Sequence, residues 1–326
     1  MGIGKKICAE TLRGLVLVCC VTVLAFVMIT KAPIDPLVSY IGPNSTLPAE
    51  TKEEIADYWG LRDPLPQRFA TWAGHALHGD LGESITYQKP VKEVLWERAA
   101  CSFPLLLSAW VLSGLLGFAL GAACGTRPGG ILDRITRGLC LTLKCAPTFW
   151  VGLLFLTVFA VELGWFPLGM AVPMGKLAAD VTVWDRIHHL ILPVLTLTVV
   201  NISEVVLYTR QKLVEIMDSD FILYARARGE TTGQILVRHG LRNIALPAIT
   251  VHFASFSELF GGMALAETVF SYPGIGSATT AAALNGDVPL LLGTVLFSTV
   301  FVFTGNVLAN ILYGVLDPRM REVHHG

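Results

Sequence analysis

The sequence predicts an all-α polytopic membrane protein, with about six transmembrane helices and an external helical subdomain after the first. Three observations carry this. Hydrophobic residues make up 53% of the 326 and charged residues 15%, with a strongly positive mean hydropathy, a balance suited to lipid rather than water. Six apolar runs, near 12–30, 102–124, 138–161, 189–209, 247–269 and 289–314, are long enough to cross about 30 Å of hydrocarbon. Basic residues gather beside alternate ends of these runs.

The first run follows Lys5, Lys6 and Arg13 and reads as an uncleaved signal anchor, because it is long and Pro33 disfavours cleavage just after it. Lys and Arg resist translocation, so Arg127, Arg134 and Arg137 between spans two and three belong inside. So do Arg210, Lys212, Arg226, Arg228, Arg238 and Arg242 between spans four and five, and Arg319 and Arg321 after span six. The opposite loops carry only Lys176 and Arg186, apart from the long external segment, which is exempt by length. Six spans then place both termini in the cytoplasm. The expected divisions are an anchor helix over 1–31, an external segment over 32–100, a five-helix core over 101–316 and a tail over 317–326.

The external segment contains Trp59, Phe69, Trp72 and Trp96, enough aromatic surface to pack locally or lie on the membrane interface. Helices are expected over Thr51 to Tyr58 and Pro66 to Leu77. His75 and His78 share a helix face, but without a third ligand nearby they read as solvated or interfacial histidines rather than a metal site. The same holds for His188-His189 and for His324-His325. Cys8, Cys19, Cys20, Cys101, Cys124, Cys140 and Cys145 form no CxxC pattern and read as small membrane residues. No residue is assigned to a metal. The net charge of −1 gives no footprint for nucleic acid.

The polar segment 215–245, between spans four and five, is the most informative stretch. Asp218, Ser219 and Asp220 can start a helix that ends with Arg226 and Arg228 in its last turn and Gly229 in the left-handed conformation. Thr231-Thr232-Gly233-Gln234 offers a capping box for a second helix, running through Ile235 toward Arg242 and the proline that opens span five. The expected result is an L-shaped helical elbow.

This elbow resembles the EAA loop of permease subunits in ABC importers, whose general pattern is Glu-Ala-Ala, three residues, Gly, nine residues, then Ile-x-Leu-Pro. Gly229 takes the glycine and Ala225 the second alanine, with Leu223 and Tyr224 before it, while His239, Leu241 and Arg242 take the later Ile, Leu and Pro. The departures follow the spelling of the peptide, opine and nickel branch, where Ala-Arg-Ala-x-Gly precedes Arg-His-x-Leu-Arg-Asn and a delayed Leu-Pro. Further resemblances to that branch are Gly60-Leu61-Arg62-Asp63-Pro64-Leu65-Pro66, Gly79-Asp80-Leu81-Gly82-Glu83-Ser84 and Pro90-Val91. Glu267-Thr268-Val269-Phe270-Ser271-Tyr272-Pro273-Gly274-Ile275-Gly276 and Leu316-Asp317-Pro318-Arg319 complete them.

The resemblance implies a MetI-like permease core in the bacterial inner membrane, working by alternating access. It also implies a second homologous permease, two nucleotide-binding ATPase subunits and an extracytoplasmic solute-binding protein. Ala225, Arg226, Ala227, Arg228, Gly229, His239, Leu241 and Arg242 would then couple the membrane helices to the ATPases. The chain has no Gly-x-x-x-x-Gly-Lys-Ser/Thr sequence, so ATP belongs to the partners and no cofactor is expected here. A membrane enzyme would need a nucleophile with its base, or a signature such as His-Glu-x-x-His, and none occurs. A channel without a motor would not need the elbow.

A helical wheel on span five places Ser255, Glu258 and Gly262 within about 60° and His252 at the edge of a sector of about 120°. A mid-membrane carboxylate costs at least ~2.5 kcal/mol against lipid, so Glu258 either pairs internally or lines the path, with the path favoured. Asn201, Glu204, Asn306 and Asn310 are expected as hydrogen-bonding links between helices, and Lys144 as a snorkelling residue. Ser257-Glu258-Leu259-Phe260-Gly261-Gly262, and the stretch from Asp35-Pro36 to Leu61, resemble nickel-type members. Nickel or a nickel chelate is therefore the expected cargo, with di- or oligopeptide the alternative.

Overall fold

A computed structural model describes residues 3–31, 37–42 and 46–316. Pro33, Asp35-Pro36, Asp317-Pro318-Arg319, Arg321, His324-His325 and the expected tail lie outside the described residues. In chain order the helices are α1 (Ile3–Thr30), α2 (Val38–Ile41), α3 (Ala49–Tyr58) and α4 (Leu65–Leu77). A short antiparallel hairpin, β1 (Glu83–Ser84) with β2 (Lys89–Pro90), precedes α5 (Val91–Thr126), α6 (Ile131–Cys145) and α7 (Thr148–Phe155). Then come α8 (Val183–Met217), α9 (Asp220–Ala227), α10 (Thr232–Ile235), α11 (Arg242–Ala254), α12 (Phe256–Val269), α13 (Ile275–Asn285) and α14 (Val288–Leu316).

Among the described residues, four helices are long and apolar enough to cross a membrane as single rods, namely α1, α5, α8 and α14. The other two expected spans are bent, and the straight reading of both is corrected. The run 138–161 breaks between α6 and α7, which meet at 113°. Pro147 lacks an N–H and clashes with a helical predecessor, so Ala146 is extended at φ −84° and ψ 125° and Pro147 starts the next helix. The run 247–269 bends by 48° at Ser255, between α11 and α12. Ser255 takes φ −77° and ψ 1°, and its hydroxyl donates to the His252 carbonyl at 2.9 Å, a local bond that competes with the helical ladder. Lys144 is exposed in the last turn of α6, just ahead of the first of these breaks.

The chain forms two compact units. One comprises residues 1–102 and 273–304. The helices expected at Thr51–Tyr58 and Pro66–Leu77 are α3 and α4. Trp59, Trp72, Phe26, Leu61, Val288 and Leu292 are buried together, with Phe69 packed against them. Phe26 meets Phe69 edge-on at 5.2 Å, the geometry that aromatic quadrupoles favour. Trp96, by contrast, is exposed. His75 stacks on Tyr58 and bonds the Tyr58 carbonyl, whereas His78 bonds the Gly74 carbonyl, so the two histidines engage separate partners. Tyr58 donates to Asp80 at 2.8 Å, which holds its phenol above the usual pKa. The hairpin is fixed by Asp287, which is fully buried and accepts from the Ser84 hydroxyl at 2.6 Å and the Thr86 N–H at 3.0 Å. Its other oxygen accepts from Leu290 N–H in the first turn of α14 at 3.1 Å, where a carboxylate suits the helix dipole.

The second unit comprises residues 103–272 and 305–326. Here α5 lays Gly114, Gly117, Gly121 and Gly125 against its neighbours. A Cβ at Gly121 would lie 2.7 Å from the Val206 carbonyl oxygen, and one at Gly125 2.9 Å from the Leu213 side chain. In lipid, where apolar surface alone does not drive helices together, such small-residue stripes allow the close contact that dispersion needs. A π-helical stretch over Leu156–Glu162 continues α7, and the loop after it lays Gly169 against the Phe270 backbone, with Met170 N–H donating to the Phe270 carbonyl at 2.8 Å.

Candidate functional site

The elbow is built by local signals. Ser219 takes the extended N-cap conformation of α9, though its hydroxyl turns back to the Ile216 carbonyl instead of capping. Asp220 supplies an acidic first turn. At the other end, Gly229 has φ +85°, its N–H donates to the Arg226 carbonyl at 2.9 Å, and Glu230 N–H reaches back to Ala225 at 3.2 Å. That pairing satisfies carbonyls the helix end would otherwise orphan. Thr231 then starts α10 with a complete capping box, its N–H donating to Gln234 Oε1 at 2.9 Å and its hydroxyl accepting from Gln234 N–H at 3.4 Å.

The second arm differs from expectation. No break separates it from span five, because a π-helical turn over Leu236–Leu241 joins α10 to α11, and Pro247 lies inside α11 rather than at its start. The widened turn keeps the helix going while shifting the register of the residues beyond it. Gly240 sits at its inner side, where a Cβ would meet Leu213 of α8 at 3.1 Å.

Ile222, Ala225 and Ile235 are buried together against Ile216 and Met217, which pins both arms to the end of α8. Leu241 packs with Leu213, Ile244 and Ala122 in an adjoining cluster. The outward side carries Arg226, Ala227, Arg228, Gly229 and Arg242, all exposed. It also carries Phe221, Leu223, Tyr224 and Val237, exposed apolar side chains beside basic ones. Of the eight residues read as coupling positions, Ala225 and Leu241 therefore face inward. His239 does something else. Its Nε2 lies 3.2 Å from Glu230, a mostly buried carboxylate that also lies 3.8 Å from Arg228, so Glu230 ties the two arms across the bend. Sequence reasoning passed over Glu230, because a single acid after the glycine has no motif of its own.

The four residues expected on one face of span five are divided by the bend at Ser255. His252 is buried on the α11 side, its ring stacked on Trp110 at 4.7 Å and 18°, in room left by Gly114. Ser255 is buried at the break itself. Glu258 is exposed on α12, and Gly262, one turn further, would bring a Cβ within 3.3 Å of the Thr148 hydroxyl on α7. Among the polar links, Ser257 donates to Asn306 at 2.9 Å, joining α12 to α14, while Asn201 bonds back to Leu197 in its own helix. Glu204 is half-buried on α8, and the Asn310 side chain lies outside the described residues.

A second feature missed from sequence is a partly buried ion pair. Asp133, 1% exposed in the first turn of α6, accepts from Arg210 Nε and Nη2 of α8, both at 2.9 Å, and from Gly129 N–H at 2.8 Å. The two residues are 77 positions apart, and only the basic one was visible as an orientation signal.

Residues 117–322 match the family model of binding-protein-dependent transport system inner membrane components. The chain is 32% identical over 315 residues to the oligopeptide transport system permease protein AppB of Bacillus subtilis, covering 95% of this chain and 97% of the relative. It is 30% identical over 320 residues to the dipeptide transport system permease protein DppB of Escherichia coli K12, covering 93% and 94%.

Proposed function

Because the chain belongs to the family of binding-protein-dependent transport system inner membrane components, and is thus a multi-pass permease subunit of an ABC importer, we propose that its elbow is the coupling lever and its cargo a di- or oligopeptide. The cargo reading follows the names of the relatives, which are oligopeptide and dipeptide permeases. It replaces nickel, which rested on the spelling around Glu258. The burial of His252 against Trp110 also takes away the soft neighbour that favoured a metal.

The observation that carries the lever is the division of the elbow into a pinned inner side and an exposed outer side. Ile222, Ala225 and Ile235 make the elbow move with the end of α8. Arg226, Arg228, Phe221, Leu223 and Tyr224 present a mixed basic and apolar surface for a cleft on a nucleotide-binding subunit. Each of two ATPase subunits would engage one permease, this chain and a homologous second one, with a solute-binding protein delivering cargo from outside. In this orientation both termini are cytoplasmic. This chain hydrolyses nothing; ATP drives it through its partners, and the elbow turns that closure into displacement of α8 and α11.

Glu258 has a role in the same frame. It is exposed on α12 at the middle of a bent span, a position that costs at least ~2.5 kcal/mol against lipid. It therefore faces the second permease or the water-filled path, where it meets a peptide ammonium or a polar partner.

The lever is tested with Gly229→Pro. Proline cannot adopt φ +85° and has no N–H for the Arg226 carbonyl. ATP-driven uptake into proteoliposomes should be abolished while membrane insertion persists; normal uptake would sink the lever. The cargo is tested by titrating the cognate binding protein with tri-alanine and with nickel(II), and tight binding of nickel alone would restore the metal reading.

A further inference from the structure

We propose that the Asp133–Arg210 pair is a coupling latch that makes α6 move with α8 when the elbow is displaced; this rests on the lever reading above. The pair joins the start of α6 to α8 through two parallel N–H to oxygen bonds of 2.9 Å, with a third bond from Gly129. That is the fork geometry in which an arginine fixes orientation as well as distance. With Asp133 buried and Arg210 partly exposed, the paired bonds fix one arrangement of the two helices, the best-attested use of such a pair.

Its place in the chain gives that arrangement a use. One turn beyond Arg210, Leu213 packs on Gly240 and Leu241 of the elbow's second arm. Two turns beyond it, Ile216 and Met217 hold the first arm. On the other side, α6 ends at the Ala146-Pro147 break, and α7 starts there with Thr148, whose hydroxyl lies against Gly262 of α12. The latch thus closes a continuous route from the elbow, through the end of α8 and the length of α6, to the α7–α12 contact beside Glu258. Beside the apolar packing of α6 on α8, the pair is the directional link, and its loss should loosen the coupling of α6 to displacement of α8. Asp133 and Arg210 are positioning residues in this scheme and touch neither cargo nor ATPase.

The test uses the complete importer in proteoliposomes. Asp133→Asn keeps the shape and the Gly129 bond but removes the charge. Uptake of radiolabelled tri-alanine per ATP hydrolysed should fall about tenfold, the scale on which network residues alter coupling between sites. Arg210→Lys, which keeps the charge but loses the fork, should show a smaller fall in the same ratio. The double variant should be no worse than Asp133→Asn alone, because partners in one interaction are not additive. A readout independent of cargo is the distance between spin labels at the exposed positions Leu139 of α6 and Val237 of the elbow. That distance should stay constant between the ATP-free and vanadate-trapped states of the parent and shift between them in Asp133→Asn. A distance that shifts equally in the parent, or strictly additive losses in the double variant, overturns the latch. If Asp133→Asn does not assemble, Arg210→Lys decides, and wild-type coupling in it overturns the proposal. Gly229→Pro run in parallel separates the two ideas. Uptake that survives Gly229→Pro removes the lever beneath the latch, whereas uptake lost there but normal in Asp133→Asn removes the latch alone.

Discussion

The elbow and the bent span that follows it adjoin in sequence, but different forces set their angles. In the elbow the turn is fixed within a few residues, by Gly229 at φ +85°, the Ala225–Glu230 backbone bond and the Thr231–Gln234 capping box. At Ser255 the local bond from its hydroxyl to the His252 carbonyl is joined by remote groups. His252 is held by Trp110 and Gly114 of α5, Gly262 by Thr148 of α7, and Ser257 by Asn306 of α14. A lever benefits from a shape that does not depend on its surroundings, since it must keep that shape while the surroundings move. A segment beside a path benefits from the opposite, because its angle can change when its neighbours are displaced.

The largest effect should come from disturbing the remote packing. Gly121→Val puts a branched side chain where even a Cβ lies 2.7 Å from the Val206 carbonyl, so α5 and α8 must part. Overpacking of this kind costs about 1–3 kcal/mol. The thermal midpoint of the purified permease should drop clearly, while the elbow amides of Gln234 and Ile235 keep their hydrogen-exchange protection. Loss of protection in both places would mean that the elbow leans on the membrane helices more than its caps suggest.

A smaller effect should follow from Thr231→Ala, which removes the side-chain acceptor of the capping box, at about 1 kcal/mol. Exchange at Gln234 and Ile235 should quicken about fivefold at that cost, with the midpoint little changed. Equal protection in the variant would show that burial of Ile235, and not the cap, holds the second arm.

This division also explains what the sequence disclosed. The external helices, the Gly229 turn and the Thr231 cap were legible because each is encoded by residues within a turn or two of one another. The π-helical turn at Leu236–Leu241 was not, since it follows from how Gly240 and Leu241 seat on Leu213. Nor were the bends: among the prolines of the apolar runs, those at 104, 193 and 247 lie inside continuous helices, whereas Pro147 begins a new one. Which proline breaks its helix depends on tertiary contacts that periodicity does not record. Glu230, Asp133 and Asp287 escaped for the same reason, as each acquires its meaning from a partner brought close by folding.

The smallest effect, and the finest test of the contrast, belongs to Ser257→Ala. Its hydroxyl donates to Asn306 at 2.9 Å across α12 and α14, and such bonds between membrane helices average only ~0.6 kcal/mol. Stability should hardly move. If the bend is set jointly by several weak remote contacts, though, removing one should still shift the balance between the arrangements of α12, because it acts on the difference between states rather than on either alone. Uptake per ATP should then change about two- to threefold with an unaltered thermal midpoint, by the same energy scale. A variant unchanged in both respects would place control of the bend with the His252–Trp110 stack and the Gly262–Thr148 contact, leaving the Ser257 bond as an incidental link.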